Sequence, residues 1–276
     1  MKNKTAKNYM AAEERLTIYQ AFFLAKLFDI FNRLEVSWQI ITGLSMMAIG
    51  NKISMSQIRE LQKQYDEKDE SELIYWLSMP YIISTERVWD LIIDKNISDL
   101  RESLEFGMYQ MVEDVVPVLA KQHADMASQK NYEQYVEIMR TEIKGQKWSK
   151  KHYNHTIWDD TTRLKDNLQS LLSDLRRGQI TLDEATLRLS RWHRTSTHQA
   201  RRMLYTEFSA MNARVQKQIA IHNGIEKFVL VAVLDNKTSE ICKTLDGTEG
   251  FWATAEIGID LPPFHPWCRT VAVYVN

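Results

Sequence analysis

The chain has 276 residues, of which 44% are hydrophobic and 26% charged, and a net charge of -1. Those proportions belong to a globular protein and exclude a disordered polyelectrolyte or a low-complexity chain. A near-neutral balance also excludes a molecule that is basic all over, as non-specific nucleic-acid binders are.

The charge is nonetheless uneven. Residues 1–145 carry 17 basic and 22 acidic side chains, residues 146–196 carry 10 and 6, and residues 197–276 carry 8 of each. The basic middle segment is an electrostatic contact surface or a solvated helix face. Its cations Lys150, Lys151, Arg163, Lys165, Arg176, Arg177, Arg188 and Arg191 are the expected DNA contacts if DNA is the partner. Met1-Lys2-Asn3-Lys4 is basic, but no apolar core with a small-residue cleavage site follows it. The most apolar stretch, Ala21 to Phe31, is interrupted by Lys26 and Asp29, and no run reaches the ~18 apolar residues of a membrane span. The expectation is therefore synthesis in the cytoplasm, where thiols stay reduced.

Taken in chain order, the first element is a helix. Leu16, Tyr19, Phe23, Leu27, Ile30 and Leu34 recur at helical spacing. Phe22, Leu24, Phe28 and Phe31 widen that stripe beyond one packed face, which marks an assembly contact or a helix covered on several sides. A second apolar stretch, Val36 to Ile49, could fold back over it. Helices follow near 55–67, 71–79, 85–95, 98–128 and 130–144, with Pro117 expected to kink or split the fourth. Trp158 to Arg177 is amphipathic, with Leu164, Leu168, Leu171, Leu172 and Leu175 on one face and Gly178 as its stop. Thr181 and Glu184 form a capping box that opens a short helix. Ser196 or Thr197 is expected to cap a further long helix running to about His222, with Gly224 ending it. The period then changes. Phe228 to Leu234 and Thr270 to Val275 read as strands, separated by a loop containing Asp246-Gly247. The fold class is mainly α with a small α+β C-terminal module: a long helical body, then a small antiparallel sheet. The expected domains are a helical assembly region over 1–145 and a module over 146–276, the latter made of basic helices (146–196) and a long helix plus sheet (197–276).

Only two cysteines occur, Cys242 and Cys268, and both lie in the last thirty-five residues. His265 stands three positions before Cys268, and Asp235 precedes Cys242 in the same corner. Two thiolates and an imidazole suit a structural zinc site, with Asp235 or a water as the fourth ligand. Such a site would staple a sheet too small to hold itself together. The alternative is that both cysteines are small buried hydrophobes and His265 hydrogen-bonds locally. A catalytic zinc would need a general base, for which Glu240 and Asp235 are the neighbours in sequence. HExxH, GxSxG and Walker motifs are absent from the chain.

The same residues carry a family resemblance. The run Ala200-Arg201-Arg202-Met203-Leu204-Tyr205-Thr206-Glu207 lies on the long helix, and Gly224-Ile225 follows it. Asp235, Lys237, Thr238 and Cys242 then follow a strand, Leu245-Asp246-Gly247 comes next, and Pro262-Pro263-x-His265-Pro266-x-Cys268-Arg269 closes the pattern. In order and spacing this resembles the phage head morphogenesis family, the Mu F-like minor head proteins. The resemblance covers roughly the last 130 residues, including Gly178-x-x-Thr181-x-x-Glu184-Ala185; the first half shares only helical character. One departure is Tyr205, which stands where the family carries an arginine before Thr206-Glu207. The resemblance implies a non-enzymatic minor head (minor capsid) protein of the virion, at the portal vertex or capsid interior. It implies roles in head assembly and in contact with, or delivery of, packaged DNA. Implied partners are the portal protein or the major capsid protein, packaged double-stranded DNA and further copies of itself, with no membrane in the assembled head. The alternatives from the residues alone are a zinc-dependent hydrolase or nuclease and a zinc-stapled DNA-binding module.

Overall fold

The computed structural model describes residues 2–45, 54–64, 85–127, 132–145 and 153–275. Seven helices and three strands are found among them: α1 (Lys2–Ser45), α2 (Met55–Gln62), α3 (Thr85–Met126), α4 (Glu133–Gly145), α5 (Tyr153–Arg176), α6 (Leu182–His222), β1 (Lys227–Val231), α7 (Glu240–Leu245), β2 (Glu249–Phe251) and β3 (Val271–Val275). The chain is mainly helical and ends in a small antiparallel sheet, as its periodicity predicts. The helix expected near 71–79 lies outside the described residues, as does the end of the stretch Val36 to Ile49. None of the described helices is long and apolar enough to cross a membrane.

Three elements are longer than their sequences suggest. Val36 does not begin a returning segment: α1 continues through it to Ser45. Nor does α3 break between residues 95 and 98, and it continues without interruption past Pro117. A proline inside a helix removes one N–H and so orphans the carbonyl four residues earlier. Here that carbonyl, on Glu113, accepts a hydrogen bond from Arg140 Nη2 at 2.8 Å. The Glu113 carboxylate pairs with Arg140 at 3.2 Å and with Lys144, so α4 compensates for the break in the ladder of α3. Likewise, Ser196 and Thr197 do not start a helix, because α6 is continuous from Leu182. Nearby Thr195 turns its hydroxyl onto the Arg191 carbonyl one turn back at 3.0 Å, the bond a hydroxyl makes when it stays inside a helix. The true start is the capping box. Glu184 N–H donates to Thr181 Oγ1 at 3.2 Å and Thr181 N–H to Glu184 Oε2 at 2.9 Å.

The glycine stops work as expected. Gly178 and Gly224 both take the left-handed conformation, with φ of 69° and 67°. At the end of α6, Ile225 N–H reaches the Ala220 carbonyl (3.0 Å) and Gly224 N–H the Ile221 carbonyl (3.1 Å). Together these form the crossed pair of bonds that closes a helix and turns the chain into β1.

The residues divide into two compact units. One comprises 23–104 and 157–198. Its core includes Phe23, Leu27, Ile30, Phe31 and Leu34 of α1, Trp89, Ile92, Ile93 and Ile97 of α3, and Leu164, Leu168, Leu171, Leu172 and Leu175 of α5. The Phe-rich stripe is therefore mostly interior. Residues 23, 27, 30, 31 and 34 fall on one helical face and are buried, while Phe28 points away and is 57% exposed. His193 of α6 lies against Phe31, with ring centroids 4.9 Å apart.

The other unit comprises 1–22, 105–156 and 199–276 and contains the sheet. The strands lie in the order β2-β1-β3, all antiparallel, with Phe228 opposite both Gly250 and Tyr274 and Leu230 opposite Ala272. Phe228, Leu230 and Ala272 form the buried face together with Ala220, Trp252, Ala255 and Leu261. β1 ends at Val231, three residues short of the apolar run that predicts it, because Ala232 N–H leaves the ladder to bond Asp246 Oδ1 at 2.8 Å. β2 has no signature of its own in sequence. It is three residues long, and Gly250 leaves room for the Phe228 ring, whose tip would lie 2.4 Å from a Cβ there. The outer edge of β3 is covered by α6: Gln216 Nε2 donates to the Ala272 carbonyl at 2.7 Å.

His123 is buried in this unit, with Nε2 2.9 Å from Asn212 Oδ1. Burial lowers its pKa from the ordinary value to about 4. The native protein thus refuses a proton that the unfolded chain, with a pKa of about 6.5, accepts. Stability from this group is present above that value and is lost as pH falls towards 4. Urea unfolding at pH 7 and pH 4.5 is expected to differ by about 2–3 kcal/mol more in the native sequence than in His123→Gln. A second comparison tests the interior assignment of the stripe. Phe23→Ala is expected to cost about 3–5 kcal/mol in the same assay, and Phe28→Ala less than about 0.5 kcal/mol.

Candidate metal centre

Two loops meet at the end of the sheet. Residues 235–242 lead into α7, and residues 262–270 lead into β3. Ser239 is the N-cap of α7, its Oγ accepting the Cys242 N–H at 3.3 Å. This cap fixes Cys242 in the first turn with its side chain inward and buried. On the other loop, Cys268 N–H bonds the His265 carbonyl at 3.2 Å, closing a tight turn. Trp267 within that turn has a φ of 63°, a conformation that costs a bulky residue free energy and persists only when its surroundings hold it. They do. Trp267 N–H donates to Thr206 Oγ1 at 3.4 Å, and its ring lies 5.2 Å from that of Tyr205.

The two turns bring three ligand-type atoms together. Cys242 Sγ is 3.7 Å from Cys268 Sγ and 3.1 Å from His265 Nε2. All three atoms lie within 4.8 Å of one another, close enough to hold a metal ion. His265 Nδ1 is 2.7 Å from the Pro266 carbonyl. A carbonyl only accepts, so Nδ1 carries the proton and, in the neutral ring, Nε2 presents its lone pair to the sulfurs. Metal-binding histidines are oriented in the same way. Burial acts to raise the Cys242 thiol, but its polar neighbours, Ser239 first, then Thr270, His265 and Cys268, together bring it below the ordinary value. Burial pushes the Cys268 thiol up.

Asp235 is not in this group. Both its oxygens are taken by Arg269, at 2.7 and 2.5 Å. Its Oδ1 also accepts the Lys237 N–H (2.8 Å) and the Thr238 hydroxyl (3.1 Å). Arg269 foremost, then the Lys237 N–H, holds the Asp235 carboxyl well below the usual carboxylate range. Thr238 also accepts the Asp235 N–H at 2.9 Å and donates to the Val233 carbonyl.

The other residues of the sequence pattern serve the same corner. Asp246 receives Ala232 N–H, and Gly247, at a φ of 75°, donates its N–H to the Leu230 carbonyl at 2.8 Å. Thr206 bonds the Arg202 carbonyl at 2.7 Å while holding Trp267. Glu207 is buried on α6, and its charge opposes the depression that burial imposes on Arg214 one face-repeat later. Pro263 is buried and Pro266 exposed. Sequence reasoning missed Ser239 and Thr270. The first has a signal, a serine three positions before the buried Cys242, which is the N-cap spacing. The second has none, because its importance comes only from facing Cys242.

Among the described residues, three of the expected DNA contacts are engaged in ion pairs. Arg163 pairs with Asp160 (2.7 Å), Lys165 with Asp94 (2.6 Å) and Arg188 with Asp174 (3.3 Å). Arg177 and Arg191 are exposed. Lys150 and Lys151 lie outside the described residues, as does the side chain of Arg176.

A small antiparallel sheet docked on the end of a long helix, its loops joined around two cysteines and a histidine, defines the module. Residues 166–273 match the family model described as Phage Mu protein F like protein. No curated protein and no solved structure matches the chain.

The geometry separates the roles of the two loop contacts. Arg269→Ala is expected to loosen the 235–242 loop while leaving Cys242 and Cys268 buried. Hydrogen exchange should show faster exchange of the Lys237 N–H with unchanged protection in β1 and β3.

Proposed function

We propose that the protein is a minor head protein of a phage virion, located at the portal vertex or in the capsid interior. In this reading it acts in head assembly and touches the packaged DNA. The observation that carries the reading is the family match over residues 166–273, which contains every element of the C-terminal pattern. Partners of the kind the family implies are the portal or major capsid protein and the DNA. Mass spectrometry of purified virions tests it: the protein is expected in the particle, in few copies relative to the major capsid protein. Its absence from particles whose other head proteins are all detected overturns the reading.

The same corner supports a structural rather than a catalytic role. Asp235 is engaged by Arg269, and Glu240 is bonded to Lys243 at 2.7 Å. The two carboxylates that sequence offers as a general base are thus held in ion pairs. We infer that Cys242, His265 and Cys268 hold a zinc ion that staples the loops. Two thiolates at 2.3 Å from a tetrahedral zinc stand about 3.8 Å apart, and the sulfurs here are 3.7 Å apart. Purified protein should contain about one zinc per chain. Removing it with a chelator, or introducing Cys268→Ser, should lower the melting temperature and unfold the sheet while helical circular dichroism largely persists. Metal-free protein whose stability ignores the chelator leaves the cysteines as plain core.

Binding to DNA would fall on the basic segment. Arg177 and Arg191, with Lys150 and Lys151, are its proposed phosphate-binding side chains. Neutralising any one that binds a phosphate should flatten the slope of log affinity against log salt by about 0.9. A quadruple neutralisation that leaves the slope unchanged would show these side chains to be solvated helix charges only.

A further inference from the structure

Cys242, His265 and Cys268 supply three donors, and a closed zinc site needs four. Asp235, the sequence-level choice for the fourth, is bound on both oxygens by Arg269. Ser239 stands in the gap. Its Oγ is 2.9 Å from His265 Nε2 and accepts the Cys242 N–H at 3.3 Å. Oxygen and nitrogen donors about 2.0–2.1 Å from a shared tetrahedral zinc lie about 3.3 Å apart, and sulfur and nitrogen donors about 3.5 Å apart. The observed 2.9 and 3.1 Å are those edges, a few tenths of an ångström short. A metal ion bound there would need to spread these two contacts by a few tenths of an ångström.

Two further features fit. The pocket over this corner, bordered by Lys237, Thr238, Ser239, His265 and Trp267, has a volume of about 10 Å³. That is about the room a single water needs, so a water is the alternative occupant of the vertex. Thr270, on the border of the same pocket, is buried, and its hydroxyl has no hydrogen-bond partner.

We propose that Ser239 Oγ is the fourth ligand of the metal centre. The proposal rests on the zinc reading above. Cobalt(II) titration of the full chain, with zinc affinity measured by competition, tests both and keeps them apart. The native chain is expected to give a tetrahedral cobalt spectrum with thiolate charge transfer from two sulfurs. Ser239→Cys should add a third thiolate, raising the charge-transfer band by about half and tightening zinc binding. Ser239→Gly removes the hydroxyl while keeping a residue tolerated at an N-cap, so the short helix survives. It should weaken zinc binding at least about tenfold. No cobalt spectrum in the native chain means that the zinc reading itself fails. A native spectrum, with no third thiolate in Ser239→Cys or with native affinity in Ser239→Gly, overturns the serine ligand and leaves the zinc.

Discussion

The C-terminal module depends on one cross-link, the joining of residues 235–242 to residues 262–270. The three strands are five, three and five residues long, and a sheet of that size has little stability of its own. Its buried face uses Phe228, Leu230 and Ala272 against Trp252 and Ala220, which fixes the strands on α6. The loops beyond the strands bury little by comparison. They are held by the Asp235–Arg269 pair outside and by Cys242, His265 and Cys268 inside. An exposed ion pair contributes modestly and is screened by salt. The inner cluster, shielded from water, is therefore the part on which loop geometry rests, and a metal there would convert proximity into bonds.

The long helix α6 serves as the base for this arrangement. It receives the Trp267 N–H through Thr206, covers the free edge of β3 through Gln216, and binds the Ala255 carbonyl through Lys217 at 2.7 Å. Tyr205 belongs to the same surface. Its ring lies beside that of Trp267, tilted by 35° with centroids 5.2 Å apart. The motif residues are thus mechanical: each meets a backbone group or a ring that would otherwise be loose. That is the pattern of a fold held to one shape.

Much of this was legible in the residue order. Helical spacing located α5 and the buried face of α1, glycine marked the ends of α5 and α6, and Thr181 with Glu184 marked the start of α6. The change to β-branched residues after Gly224 located β1 and β3, and the pairing of Cys242 with His265 and Cys268 was visible as ligand chemistry before any geometry. These features are local, set by propensity, by capping and by the side-chain types a site requires, and so they can be read from neighbours in sequence.

What only the tertiary structure decided was who meets whom across distance. Pro117 reads as a helix break, and α3 continues because Arg140 happens to reach the Glu113 carbonyl. Phe23 and Phe28 are alike in sequence, and packing alone makes one core and the other surface. Asp235 has the chemistry of a metal ligand, but Arg269 lies close enough to take both oxygens, and the oxygen beside His265 is that of Ser239. The physical reason is common to all three. Burial and pairing energies depend on distances between residues remote along the chain, and those distances exist only after folding.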